Sequence, residues 1–359
     1  MNRDSRQDPS LSDRKDEHLS IVLENRQQHP KKTTGFESID FIHCAAPELN
    51  LKSITLDTSF LGKRISAPLL ISSMTGGPSC AVKINETIAR VCEQLKLPFA
   101  VGSQRVALEQ KGAGGLDGSL RSLAPNVPII GNLGAAQLKR DFDIDDARRA
   151  VDMIEADALY IHLNPLQEAV QTEGDTDWSG LFDKIVAIAE ALPVPLAVKE
   201  VGSGISAGLA RRFVDSGIMI IDVAGAGGTS WAAVEAQRMT DPARAQLANA
   251  FVDWGIPTAQ AVRDVREACP EATVIASGGI RTGIDVAKSI RLGADLAGQA
   301  AGVLKEANES PESLAQRLKI VIEQLRIVCF CTGSTNLAML KNAPIRKTSE
   351  CLSIDHPDA

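Results

Sequence analysis

The sequence predicts an α/β fold: a closed (β/α)8 TIM barrel with an N-terminal polar arm and an insertion after the sixth strand. Three observations predict it. Eight short apolar runs recur along the 359 residues, each ending in small or polar side chains. Amphipathic segments of helical period separate them, and most steps are about 30 residues, the size of one βα unit. An early G-x-G-x-x-G fingerprint, the mark of an open doubly wound sheet, is absent. Strand–helix alternation of this kind gives parallel strands with right-handed crossovers.

In chain order the runs are "PLLISSM" (68–74), "PFAVGS" (98–103), "PIIGN" (128–132), "ALYIHL" (158–163), "PLAVKE" (195–200), "IMIIDV" (218–223), "ATVIAS" (272–277) and "ADLAGQ" (294–299). Helical patterns at 81–95, 181–192, 205–216 and 283–292 lie between them. Residues 1–13 are polar with a proline and read as a disordered lead-in. Residues 14–340 form one barrel domain, and 341–359 read as a polar tail. The step from Thr229 to Gly279 is about twenty residues longer than the others, and 235–255 carries the surplus. Its apolar "AQLANAFVDWG" suits an extra helix over the barrel or a subunit contact better than a lid over the mouth.

Composition bounds the partners. Hydrophobic residues make up 44% and aromatics only 4%, so the core is aliphatic, as under helix-covered parallel sheets. A net charge of −7 argues against a nucleic-acid partner, which needs a dominant basic field. No apolar run approaches the ~20 residues of a membrane span, and the N-terminus lacks the apolar core of a signal peptide. The seven cysteines include no C-x-x-C pair and read as idle thiols. These features point to a cytoplasmic protein.

In a (β/α)8 barrel the site is built from the C-terminal strand ends. That gathers Thr75, Ser103, Asn132, His162, Lys199, Thr229, Gly279 and Ala300 at one mouth. "ASGGIRTG" (276–283) and "GQAAG" (298–302) follow the seventh and eighth strands, where barrels hold phosphate, and Arg281 adds a charge. "DVAGAGGTSW" (222–231) is a third glycine-rich loop, so a long phosphorylated cofactor such as FMN is expected. Lys199, inside an apolar run, needs an anionic partner: it reads either as a Schiff-base nucleophile or as a cation beside reduced flavin. "SSMTGG" (72–77) and Asn132 suit a heterocycle's polar edge, and Arg105 an anionic substrate. His162, Asn164, Gln167 and Glu168 reach the mouth beside Lys199, where Glu168 could hold Mg²⁺ with substrate phosphate oxygens. "DRKDEH" (13–18) could fold Arg14, Lys15 and His18 over a diphosphate.

"RKDEH", "SSMTGG", "VGSQR", "GNLGA", "HLNPLQE", "KEVGSGIS", "DVAGAGGTS" and "SGGIRTG", in this order, closely resemble the type 2, flavin-dependent isopentenyl-diphosphate Δ-isomerase family. "HLNPLQE" is the most specific of them. The resemblance implies an FMN barrel that interconverts isopentenyl and dimethylallyl diphosphates, with reduced FMN, NADPH as reductant, Mg²⁺, and a homotetramer or homo-octamer. It implies FMN contacts at Ser73, Met74, Thr75, Ser103, Asn132, Lys199, Thr229, Gly279, Ile280, Arg281, Ala300 and Ala301. Substrate would meet Arg14, Lys15, Ser103, Gln104, Arg105 and Gln167, with Mg²⁺ on Glu168. His162, Asn164 and Gln167 would be catalytic, positioning the alkene while flavin N5 exchanges the proton. The family commonly has proline where this chain has Thr172.

Rival readings lack their residues. An α-hydroxy-acid oxidase needs a histidine base beside the seventh-strand glycines, where Ser277 stands, and an inosine-monophosphate dehydrogenase needs a cysteine that "AGAGGTSW" does not have. A non-catalytic flavin- or phosphate-binding protein stays open.

Overall fold

The computed structural model describes residues 11–24, 30–74, 79–109, 115–140 and 142–348, apart from the side chains of residues 11–16, 79 and 80. Eight parallel strands close into a barrel: β1 (Leu69–Ile71), β2 (Phe99–Ala100), β3 (Ile129–Gly134), β4 (Ala158–Leu163), β5 (Leu196–Glu200), β6 (Ile220–Asp222), β7 (Thr273–Ala276) and β8 (Leu296–Gln299). Closure comes from β8 pairing with β1, Ala297 opposite Leu69 and Gln299 opposite Ile71.

Strand residues alternate between two cores, as the pleat requires. Leu70, Ala100, Ile130, Ala158, Tyr160, Ala197, Ile220, Ile275 and Leu296 fill the lumen. The residues between them pack against the helices in the larger core. Two positions beyond the lumen fillers, the same parity brings Ser72, Asn132, His162, Lys199, Ser277 and Gly298 to the C-terminal mouth, with Asp222 buried just beneath it. Strand period thus aims the polar ends inward.

The amphipathic segments are helices at Ser79–Leu95, Leu181–Ala191, Ala207–Asp215 and Gly283–Arg291. The surplus after β6 forms helices Trp231–Arg238 and Pro242–Asn249, started by Ser230 and Asp241 caps. They pack through Ala236 and Ala248 on Leu166 and Val170 of helix Pro165–Val170, so the insertion roofs the loop after β4.

Three features depart from expectation. A hairpin, Thr58–Phe60 with Lys63–Ile65, plugs the N-terminal end of the lumen with Phe60 and Ile65. Three-residue strands are too short to show a period. Helix Leu11–Leu23 starts inside the expected lead-in; residues 1–10 lie outside the described ones. The tail does not begin as a loose end, because Ile345–Lys347 pairs antiparallel with Ile39–Phe41 and Thr348 Oγ1 donates to Glu37 O at 2.7 Å. Residues 349–359 lie outside the described ones.

At the N-terminal face two aspartates are used alike. Asp157, just before β4, accepts from Ile129 N at 2.8 Å and from Arg121 and Lys63, both at 2.7 Å. Asp295, just before β8, accepts from Val274 N at 3.0 Å, Arg266 at 2.5 Å and Lys341 at 2.8 Å. Each staples two neighbouring strands to a helix arginine.

Candidate active site

A cavity of about 1490 Å³, counting its open mouth, lies at the C-terminal end of the strands. All eight strand ends line it. Of the expected residues, Ser73, Met74, Ser103 and Asn132 come from β1–β3, and His162, Gln167 and Lys199 follow from β4 and β5. Thr229, Gly279, Ile280, Arg281, Ala300 and Ala301 complete the ring.

One end is built for a phosphate. Gly278 and Gly279 take φ of +100° and +75°, and a Cβ on Gly278 would lie 2.2 Å from Gly225 O. Only glycine lets the loops after β6 and β7 meet this closely. Thr282 and Asp285 form a capping box, and Asp285 Oδ2 also takes the Arg281 amide at 3.0 Å, which fixes the loop. Helix Ala301–Glu309 has Ala300 at its N-cap, with no side chain capping its leading amides. Uncapped amides at a helix start are anion donors.

The adjoining end of β1 offers unpartnered hydroxyls. Ser72 Oγ and Ser73 Oγ are buried without a hydrogen-bond partner, although both residues line the cavity. Gly298 keeps this floor open, since a Cβ there would meet Ser72 Oγ at 2.3 Å. Orphaned buried hydroxyls are costly unless a ligand satisfies them. Asn132 is fixed by Nδ2 donating to Val101 O at 3.1 Å and by Oδ1 facing His162 Nδ1 at 2.8 Å. A phosphate cradle, a polar ring edge and a lysine in one cavity fit FMN.

Lys199 is the buried cation of the floor. Its Nζ donates to the main-chain oxygen of Glu200 at 2.6 Å. The Glu200 carboxylate faces the other way and takes the Val201 and Gly202 amides at 2.6 Å each, so the two side chains do not pair. Burial pulls the Lys199 ammonium below the ordinary lysine range, while Asp222 and Glu200 partly offset that. Asp222 was not anticipated. Its signal was present, however: an acid inside an apolar strand at inward parity, the same argument that singled out Lys199.

Glu235 was also missed. It is buried in helix Trp231–Arg238 and accepts from Gln167 Nε2 and Gln171 Nε2 at 2.9 Å each and from Arg238 at 2.8 Å. His18 Nε2 of the arm lies 3.0 Å from a Glu235 carboxylate oxygen, without in-line hydrogen-bond geometry. Burial opposes its charge, but His18, Gln167 and Arg238 outweigh it and hold the carboxyl at about 2. Asn164 Nδ2 reaches Gln167 Oε1 from the other side at 3.2 Å, so both ends of the Gln167 amide are fixed.

Other expected residues lie elsewhere. Gln104 is turned into the barrel wall, its Nε2 donating to Ala150 O at 2.7 Å and its Oε1 accepting from Asn132 N at 2.9 Å, so it cannot reach a substrate from there. Sequence spacing did not show that the helix beginning at Arg105 rotates it away. Arg105 itself pairs with Glu109 at 2.9 Å and stands off the cavity wall. Asn164 and Glu168 sit just behind Gln167. Glu168 accepts from Asn164 Nδ2 and from Asp175 N, both at 2.8 Å, and keeps acceptor capacity for a cation. No group of three metal-ligating side chains occurs among the described residues, so Mg²⁺ there would need oxygens from a ligand. Thr75 lies outside the described residues, as do the side chains of Arg14 and Lys15. Among the described residues no helix is long and apolar enough to cross a membrane.

Fold and cavity together define a flavin-type (β/α)8 enzyme. Residues 145–347 match the family model described as FMN-dependent dehydrogenase. The chain is also similar in structure to a flavocytochrome b2 mutant with benzoylformate, at a TM-score of 0.68 and 16% identity over 95% of this chain and 85% of that one. A mandelate oxidase mutant with the C4a-OH-FMN adduct gives 0.64 and 16%, over 92% and 95%. Such distant likeness establishes the fold alone. In sequence, the chain is 57% identical over 342 residues to the isopentenyl-diphosphate delta-isomerase of Stutzerimonas stutzeri (strain A1501), covering 95% of this chain and 99% of the relative. The enzyme of the same name from Pseudescherichia vulneris is 54% identical over 94% and 98%. The chain belongs to the isopentenyl-diphosphate delta-isomerase family.

Proposed function

We propose that the protein interconverts isopentenyl and dimethylallyl diphosphates in a cavity that holds reduced FMN, with Mg²⁺ on the diphosphate and NADPH as reductant. One observation carries the reading: a single cavity joins the glycine and helix-end phosphate cradle to Gln167, inside a chain of this family. The amides of Gly279, Ala300 and Ala301, with the Arg281 side chain, would hold the FMN phosphate. Ser73, Met74, Ser103, Asn132 and Thr229 would line the ribityl chain and ring, with Lys199 at the anionic edge. Moving the double bond adds a proton at one carbon and removes one from another, with no net redox change. Bound reduced FMN supplies the acid and base for that exchange at N5.

The chain's own residues bind and orient. Gln167 is neutral and a poor acid; with its amide fixed by Glu235 and Asn164, it positions the alkene over the ring. His162 borders the same space and is oriented by Asn132. Arg14, Lys15 and His18 of the arm would grip the diphosphate, and Glu168 the Mg²⁺ bridging to it. A homotetramer or homo-octamer in the cytoplasm is part of the same reading. The hydroxy-acid oxidase alternative fails at Ser277, whose hydroxyl is committed to Asp222 at 2.5 Å.

The test is an assay with isopentenyl diphosphate, FMN, NADPH and Mg²⁺, omitting one component at a time. Purified protein should be yellow, and dimethylallyl diphosphate should form only when the flavin is reduced and Mg²⁺ is present. A colourless protein that binds no FMN, or turnover unaffected by flavin removal, would overturn the reading.

A further inference from the structure

Beneath the cavity floor lies a buried carboxylate that the proposed chemistry does not use. Asp222 is fully buried and does not line the cavity. Its Oδ1 accepts from Ser277 Oγ at 2.5 Å and its Oδ2 from Tyr160 Oη at 3.0 Å, and the Ala224 amide also donates to it. Three neutral donors therefore satisfy its two oxygens without water and partly offset the burial that pushes its carboxyl up. Strand register places it opposite Lys199 on the neighbouring strand, both pointing into the barrel, with no direct ion-pair contact, so the two act on each other through space. Lys199 spends one N–H on Glu200 O, which leaves two for the cavity it lines. The other acid near the lysine, Glu200, is turned away into its own amides.

We propose that Asp222 is a positioning residue for the cofactor: a buried counter-charge that keeps Lys199 protonated under the flavin ring and so favours binding of the reduced, anionic form. The inference rests on the FMN reading. An isolated buried ammonium loses its proton because burial penalises the charge, and one adjacent carboxylate offsets that penalty. Burial alone lowers Lys199, and Asp222 is the largest influence raising it. Burial likewise pushes Asp222 up, with Lys199 the largest opposing influence. Burial and then Asp222 push Tyr160 well above the ordinary phenol range, so it remains a donor. Asp222 thus reaches the flavin only through Lys199.

The two ways Asp222 could act on the flavin differ in sign, which makes the test sharp. If it were only a nearby negative charge, its removal would favour the reduced anion. If it holds the Lys199 proton, its removal discards the cation, and preference for the reduced form falls. The experiment measures FMN affinity in the oxidised and reduced states, by fluorescence quenching and by equilibrium reduction against a reference dye. For Asp222→Asn the preference for reduced over oxidised FMN should fall at least about tenfold, equivalent to a potential ~30 mV lower for a two-electron couple. In a Lys199→Met background the same substitution should produce no fall. An unchanged or raised preference in Asp222→Asn overturns the proposal, as does an equal fall with and without Lys199. A purely structural role would lower thermal stability and leave the preference unmoved. Should Asp222→Asn not fold, Tyr160→Phe removes one donor while keeping the acid, and a smaller fall in the same direction is expected; no change overturns the proposal. Failure of the unsubstituted protein to bind FMN would instead defeat the underlying functional reading.

Discussion

The two ends of the barrel spend polar side chains in opposite ways. At the N-terminal end, Asp157 and Asp295 each have three donors from a strand amide, an arginine and a lysine. At the C-terminal end, Ser72 Oγ, Ser73 Oγ and Asn164 Oδ1 are buried with no partner, and helix Ala301–Glu309 starts without a side-chain cap. The two N-terminal carboxylates are satisfied within the chain, whereas the Ser72 and Ser73 hydroxyls, which line the cavity, are left for a ligand. Native interiors seldom leave polar atoms unmet, so such clustering marks a site. Stability and function are thus separated along the barrel axis.

That contrast can be broken from either end. Gln167→Ala should have the largest effect, lowering turnover by about 100-fold or more while FMN stays bound, because the amide serves the substrate. Steady-state kinetics beside the flavin absorbance decide this. Near-normal turnover would remove Gln167 from the chemistry.

Glu235→Gln should lower turnover about tenfold by loosening Gln167 and the arm. It should also change acid stability in a defined window. The Glu235 carboxyl is depressed in the fold from 4.5 to about 2. Its contribution is therefore fully present above about pH 4.5 and lost as pH falls through about 2, some 3 kcal/mol in all. Urea unfolding between pH 5 and 2 (a range chosen roughly around those values) should show a shallower decline in the variant.

Asp295→Ala at the opposite end should cost about 2 kcal/mol of stability, since it strands the Val274 amide and leaves Arg266 and Lys341 without their acid. Turnover of the folded enzyme at 25 °C (roughly the reference temperature of these energies) should hardly change. Gly298→Ala should be smallest, at about 1.4 kcal/mol or tenfold weaker FMN binding, because the new methyl meets Ser72 Oγ at the cavity floor. A large loss of thermal stability without weaker FMN binding would place Gly298 with the packing residues instead.

The barrel was legible in the sequence because its strands are apolar and regularly spaced, and the amphipathic segments at 181–192 and 283–292 match helices to within a residue. Strand-end parity carries Asn132, His162 and Lys199 to one cavity, and the glycine-rich loop after β6 brings Thr229 there. What stayed hidden depends on contacts distant in sequence. Glu235 lies 68 residues from Gln167, and no local pattern joins them. Asp222 looked like the end of an apolar run until strand register set it beside Lys199. The wall-side bonds of Gln104 were not legible because the residue after a strand end can enter the mouth or the first helical turn, and packing against Ala150 decides which. The plug at 58–65 escaped notice because its burial comes from the barrel it closes.

Hydrogen–deuterium exchange with and without FMN tests the separation of the two ends most directly. Amides at 225–230, 278–283 and 300–304 should gain protection on FMN binding, and those at 129–130, 157–159 and 273–275 should not change. Protection spread evenly over both ends, or none at the glycine loops, would contradict the assignment of the C-terminal mouth as the cofactor site.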